Sequence, residues 1–226
     1  MSQTRKTIAK NMELSWTIPR AVHMELIDAS SLVEVVSKEK ERVKKEREIK
    51  LTFLPFIIKA VERALHEHPR FNSSYDHETQ EIILKNYFNV GLAAEGPDGL
   101  RVVVIKDSDR KSVVGMAKEI QELHEKIEKQ TITIEEMRDS TFTITNIGSL
   151  GGGFLSVPMI NYPEVAILGV HMIRDMAVVK NGQVVAGKIL PLTLSFDHRV
   201  VDGADAVKFV NAIKAYLEDI EFLDIT

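Results

Sequence analysis

At 226 residues the chain is long enough for one large domain with a substantial buried core. Hydrophobic residues make up 44% and charged residues 27%, a balance that excludes general disorder, and 29 Lys and Arg against 33 Asp and Glu leave a net charge of -4, which excludes a generally basic nucleic-acid binder. No apolar run approaches a membrane span, the N-terminus lacks a signal-peptide core, and the absence of cysteine excludes disulfides, thiolate catalysis and cysteine-type zinc sites. The chain therefore reads as soluble and intracellular, and any thiol in its chemistry belongs to a substrate.

Asp28 is placed to cap a helix with Leu32, Val35 and Val36 on one stripe. The helix is expected to run outward into residues 38–50, where 11 of 13 positions are charged and only Val43 and Ile49 are apolar. Pro55 suits the first turn of a second helix, whose apolar positions Phe56, Ile57, Ala60, Val61, Ala64 and Leu65 recur at helical spacing until Pro69 ends it. Residues 82–94 and 100–105 read as strands joined by the turn Gly96-Pro97-Asp98-Gly99. Asp109 or Ser112 caps the next amphipathic helix, Val113 to Ile127, and Thr133 can cap a short helix at 131–138.

The last third is dense in strand signal at 141–145, 164–170, 176–187 and 189–196, with Asn181-Gly182 suited to a type I′ hairpin turn. After Gly203 a final amphipathic helix carries Ala206, Phe209, Val210, Ile213 and Leu217. The outline is a single α/β domain over 1–226, with a large mixed sheet covered by helices. At the chain end Ile220, Phe222, Leu223 and Ile225 are expected to form a docking knob, because clustered apolar side chains there need a partner surface.

Seven histidines are present, and the surroundings of His198 differ from the rest. His198 follows an apolar strand and precedes a helix, with Asp202 four positions on, so it sits at a strand end, where α/β proteins often place ligands. Its imidazole can accept a proton near neutral pH from a thiol or a hydroxyl. A structural reading competes: Asp202 suits the N-cap of the last helix, and Asp197 and Arg199 can pair at the surface. Upstream, Thr143 and Thr145 share one strand face that runs into Asn146 and a glycine-rich turn, where a hydroxyl can donate to a developing oxyanion. His66 and His68 suit a helix C-terminus, and no histidine spacing suggests a metal site.

DHRVVDG at 197–203, TFTITNIGSLGG at 141–152, PEVAILGV at 163–170, DGLRVVVIKDSDRKS at 98–112 and RKTIAKNM at 5–12 together resemble the catalytic domain of the dihydrolipoamide acyltransferases. These are the E2 components of 2-oxo acid dehydrogenase complexes, and the five motifs cover nearly the whole chain in the family's order. The resemblance implies a fold like chloramphenicol acetyltransferase, trimers with active sites between subunits, and larger hollow cores built from trimers. It implies His198 as general base toward the coenzyme A thiol, Thr145 of a neighbouring subunit as oxyanion donor, and Asp202 as an ordering carboxylate paired with an arginine such as Arg5. It also suggests coenzyme A contacts from Thr52, Asn146 and Glu95. Other readings stay open: a coenzyme A-dependent acetyltransferase with a hydroxyl acceptor, or mainly an assembly core.

The lipoyl and subunit-binding domains of full-length family members leave no trace in this composition. The lipoyl group is therefore expected to arrive on a domain outside this chain, and the E1 and E3 components to bind through regions outside it. A cytoplasmic location, or the mitochondrial matrix in a eukaryote, follows from the resemblance.

Overall fold

The three strongest apolar periodicities form the helices they predict. In a computed structural model, which describes all residues except Asp98, Gly152, Gly153 and 221–226, α3 spans Leu54–Glu67, α4 Val113–Glu128 and α5 Gly203–Glu218. Pro55 lies in the first turn of α3, and Ser112 caps α4 by accepting a hydrogen bond from the Gly115 amide at 3.2 Å. The charged run belongs to α2, Ser30–Arg47, which ends where Glu48 turns left-handed. The two apolar residues of the run, Val43 within α2 and Ile49 just beyond its end, are buried in the common core. The N-cap position falls on Ala29 and no side chain caps the helix, so Asp28, one residue earlier, is not the cap expected; its Oδ1 accepts from the Ser30 amide at 3.0 Å and closes a local turn.

Two elements carry no clear sequence signal. Helix α1, Gln3–Trp16, has little apolar periodicity, and apart from Ser15 none of its described side chains is buried. Strand β1, Arg20–Asp28, directs His23 and Glu25 to the helix side, where a binary pattern demands apolar residues.

The expected strand at 82–94 is instead two strands of different sheets. β3, Glu81–Leu84, pairs with β2, Ser73–Asp76, in a small hairpin, whereas β4, Val90–Gly96, pairs with β5, Gly99–Ile105, in the main sheet. Side-chain amides cause the break: Asn72 Nδ2 donates to the carbonyls of Lys85 and Tyr87, and Asn89 Oδ1 accepts from the Asp107 amide. The remaining strands are β6, Phe142–Asn146; β7, Ala166–Val170; β8, Arg174–Lys180; and β9, Gln183–Asp197. Asn181 and Gly182 join β8 to β9 with φ of 52° and 76°, the positive values of a type I′ turn. Thr133 caps only a 3-10 turn, Glu135–Met137.

The seven-stranded sheet is mixed, in the order β1-β9-β7-β6-β4-β5 with β8 on β9; β4, β6 and β7 run parallel. Its two faces have opposite chemistry. Leu92, Ile144, Leu168 and Leu194 lie side by side across four strands and belong to the core under the helices. One residue along, Ala93, Thr145, Gly169 and Thr193 form the matching row on the other face. A small second cluster of Ile18, Ile160 and Ile167 covers part of that face.

Ile220 is buried in the chain's own core, so it does not belong to an exposed docking knob; Phe222, Leu223 and Ile225 lie outside the described residues. Among the described residues no helix is long and apolar enough to cross a membrane.

Phe209 joins α5 to the sheet: its ring stacks on Phe71 at 4.1 Å and meets Phe142 at 5.7 Å. All three rings are buried. Phe209→Ala is expected to cost about 3–5 kcal/mol, read as a lower midpoint in urea denaturation.

Candidate active site

The loop after β9 is built around an ion pair whose carboxylate is buried. Asp197 is 1% exposed, and both its oxygens receive the Arg199 guanidinium, with Nε to Oδ1 at 2.9 Å and Nη2 to Oδ2 at 2.6 Å. Oδ1 also accepts from the Arg199 amide at 3.0 Å, and the Asp197 carbonyl accepts from the Val200 and Val201 amides. Arg199 in turn lies 4.2 Å from the centre of the Tyr75 ring. These bonds correct the expectation of a loose surface pair: Asp197 is an interior anchor that closes the turn.

His198 stands between the two clamped residues. Its amide donates to the Pro19 carbonyl at 2.9 Å, while its ring is half exposed. Nδ1 lies 3.9 Å from Asp202 Oδ1, too long for a hydrogen bond and within electrostatic reach of a protonated ring. Asp202 does occupy the N-cap of α5, yet its side chain makes no capping bond. The carboxylate stays exposed beside the histidine ring. Among the described residues no ion pair joins Arg5 to Asp202; Arg5 lies on α1, close to Gly99 of the β4–β5 hairpin.

Thr145 is half-buried on the face away from the helices. It pairs across β6 and β7 with Gly169, and Gly169 pairs with Thr193 on β9. A Cβ on Gly169 would collide with Thr193 Oγ1, so glycine is required for the close approach. Thr193 Oγ1 lies 3.2 Å from Nε2 of His171, which is 2% exposed, and burial holds that ring below the usual histidine pKa. Five residue steps, four of them within β9, and two strand spacings separate the Thr145 row from His198, which puts them about 15–20 Å apart within one chain. The chain does not bring its own Thr145 and His198 together.

Asn146 and Glu95 stand near the ends of the adjacent parallel strands β6 and β4. Thr52 is exposed and lies off the sheet, in front of α3, beside the Lys50 amide that donates to Gln121 Oε1 on α4.

Glu164 escaped the sequence reading because it looked like the first residue of a strand. β7 begins at Ala166, and Glu164 is 3% exposed in the preceding segment. Its Oε1 accepts from Thr143 Oγ1 at 2.9 Å, from Asn161 Nδ2 at 2.8 Å and from Ser140 Oγ; burial pushes its pKa up to about 7 despite these bonds. A lone acidic residue before an apolar run is a signal for such a group only once the strand boundary is known.

The catalytic-domain model of the 2-oxoacid dehydrogenases acyltransferase family matches residues 1–225. The chain belongs to this family. It is 45% identical over 220 residues to the dihydrolipoyllysine-residue acetyltransferase component of the pyruvate dehydrogenase complex of Bacillus subtilis, covering 97% of this chain and 49% of that protein. The chain thus spans about half the length of the curated relatives it matches.

A probable dihydrolipoamide acetyltransferase of Listeria monocytogenes superposes with a TM-score of 0.95 at 38% identity, covering 100% of this chain and 96% of the other. Two further structures share a TM-score of 0.94, 37% identity and coverage of 97% and 90%. One is the cubic core of a pyruvate dehydrogenase multienzyme complex. The other is an Azotobacter vinelandii dihydrolipoamide acetyltransferase, in which the catalytic roles of a serine, a histidine and an asparagine were investigated; the last two stand four positions apart. Chloramphenicol acetyltransferase, at 12% identity and a TM-score of 0.56 over 92% of this chain and 94% of that one, shares the fold expected from the sequence.

The family member carries a pH signature in Glu164. An unfolded glutamate titrates near 4.5 and the folded one at about 7, so between these values the folded chain holds a proton that the unfolded chain has lost. Stability therefore falls as pH rises from about 4.5 to about 7. Glu164→Gln removes this loss, so the melting temperature of the variant relative to the parent is expected to climb from pH 5 to pH 8. A difference that stays flat would contradict the assignment.

Proposed function

We propose that the chain transfers an acyl group between dihydrolipoamide and coenzyme A, with acetyl, the group named in its relatives, as the first candidate. The observation that carries the reading is the half-exposed His198, fixed between the clamped Asp197 and Arg199 and facing Asp202.

In this mechanism His198 Nε2 takes the proton of the coenzyme A thiol. Transfer of a thiol proton to an imidazole is ordinary general-base chemistry near neutral pH. The thiolate attacks the acyl-dihydrolipoamide thioester, and the tetrahedral oxyanion accepts a hydrogen bond from the Thr145 hydroxyl. Collapse expels the dihydrolipoyl thiolate, which recovers the proton from the His198 imidazolium. Asp202 orients the ring through Nδ1 and carries no proton itself. The carboxylate stands at the spacing of the asparagine in the Azotobacter relative.

Thr145 comes from a neighbouring copy, because within one chain it is about 15–20 Å from His198. Assembly into trimers, and of trimers into a hollow core like the cubic relative, is part of the proposal. Helix α1, with hardly a buried side chain and with Trp16 exposed, supports it. Coenzyme A contacts fall to Asn146 and Glu95 at their adjoining strand ends, and to Thr52. The lipoyl group is delivered by a domain outside the chain, the E1 and E3 components dock outside it, and the complex works in the cytoplasm or, in a eukaryote, the mitochondrial matrix.

Acyl transfer from acetyl-, isobutyryl- and succinyl-coenzyme A to free dihydrolipoamide tests the reading. His198→Ala, verified to remain assembled, is expected to lose the activity, and Thr145→Ala to lower kcat by about 10²–10³-fold. An assembled parent with no transfer to dihydrolipoamide would overturn the proposal, leaving a hydroxyl acceptor or a purely structural core.

A further inference from the structure

Glu164 and the residue after it touch both elements that carry the proposed chemistry. Through its side chain, Glu164 binds Thr143, two positions before Thr145 and on the same face of β6. Through the backbone, the Val165 carbonyl accepts from the Asp197 amide at 2.8 Å, next to His198. A third tie is the isolated bridge between Glu164 and Ser74, whose neighbour Tyr75 underlies Arg199. Asn161 closes the cluster, with Nδ2 3.3 Å from Ser140 Oγ and 3.4 Å from Thr143 Oγ1 in addition to its bond to Glu164.

We propose that Glu164 is a positioning residue whose carboxyl locks β6, and with it Thr145, to the turn that holds His198. The inference rests on the acyltransferase reading given above. One chain then offers His198 to one active site and Thr145 to the next, and a single buried group sets the geometry of both contributions.

The protonated carboxyl suits this role. One oxygen collects three neutral donors, while Oε2 is buried without a hydrogen-bond partner. Ionisation would place charge beside that unpartnered oxygen in the interior. Its direct partners Ser140, Thr143 and Asn161 carry no charge. The titratable and charged groups on the flanking elements are Tyr75 and Asp76 of β2, Tyr162 of its own segment, and the mutually paired Asp197 and Arg199.

The test compares the assembled parent with Glu164→Ala and Glu164→Gln, reading kcat, the KM for coenzyme A, and amide hydrogen exchange over 140–147 and 197–201. Misplacement by about 1 Å costs up to about 10²-fold, so Glu164→Ala is expected to lower kcat by about 10–10²-fold with KM nearly unchanged, and to speed exchange in both segments. Glu164→Gln, whose amide oxygen accepts the same three bonds, is expected to restore both readouts. The ratio of parent to Glu164→Gln kcat is also expected to fall between pH 6 and pH 8.5.

Parental kcat and exchange in Glu164→Ala would overturn the proposal, as would a Gln variant as impaired as the Ala variant. If Glu164→Ala does not assemble, the pH ratio decides, and a flat ratio overturns the lock. A parent without acyl transfer would instead sink the functional reading, and exchange in the two segments would still decide the lock by itself.

Discussion

A sheet with one greasy face and one face of small and hydroxyl-bearing residues is the constraint on which the rest of this chain depends. The helices can bury Leu92, Ile144, Leu168 and Leu194 only if those residues share a face, and the two-residue period of a strand then sends Thr145, Gly169 and Thr193 to the other. The core chooses the side on which Thr145 stands. Because Gly169 has no side chain on that second face, Thr193 can lean over it toward His171.

At the end of β9 the same logic meets a charge. Asp197 follows the parity of Thr193 and Ser195, so it points into protein and must be compensated there. Arg199, two residues on, folds back with a bidentate contact, and the backbone between them is held in a tight turn. His198 gains a fixed backbone and keeps an exposed ring. The general base of the proposed mechanism needs that combination: a reproducible position and a ring that a substrate proton can reach.

Glu164 links these two regions. Its bonds to Thr143 and the adjacent carbonyl's bond to Asp197 make the segment before β7 a strut between the strand of the hydroxyl and the loop of the histidine. The two regions are not adjacent in the sheet, since β7 lies between β6 and β9. A rigid crossing piece holds their separation. The acid is held in an interior that raises its pKa to about 7, with Oε1 facing the donors of Ser140, Thr143 and Asn161.

Three helices, the Asn181-Gly182 turn, the hydroxyl-bearing face of β6 and the His198–Asp202 spacing were legible in the sequence, because each depends on residues within a few positions of one another. Five ordered motifs carried the family. Where distant groups intervened, local pattern failed. Asn72 and Asn89 cut the expected strand at 82–94 by binding backbone far along the chain, and β1 hid because its helix-facing His23 and Glu25 are polar. α1 hid because its described residues bury almost nothing within the chain. The sequence by itself determined which side chains could do chemistry. Only the tertiary structure decided that Asp197 is an anchor, that Glu164 is interior, and that Thr145 stands too far from its own His198, because burial and cross-strand register are set by contacts between residues distant in the chain.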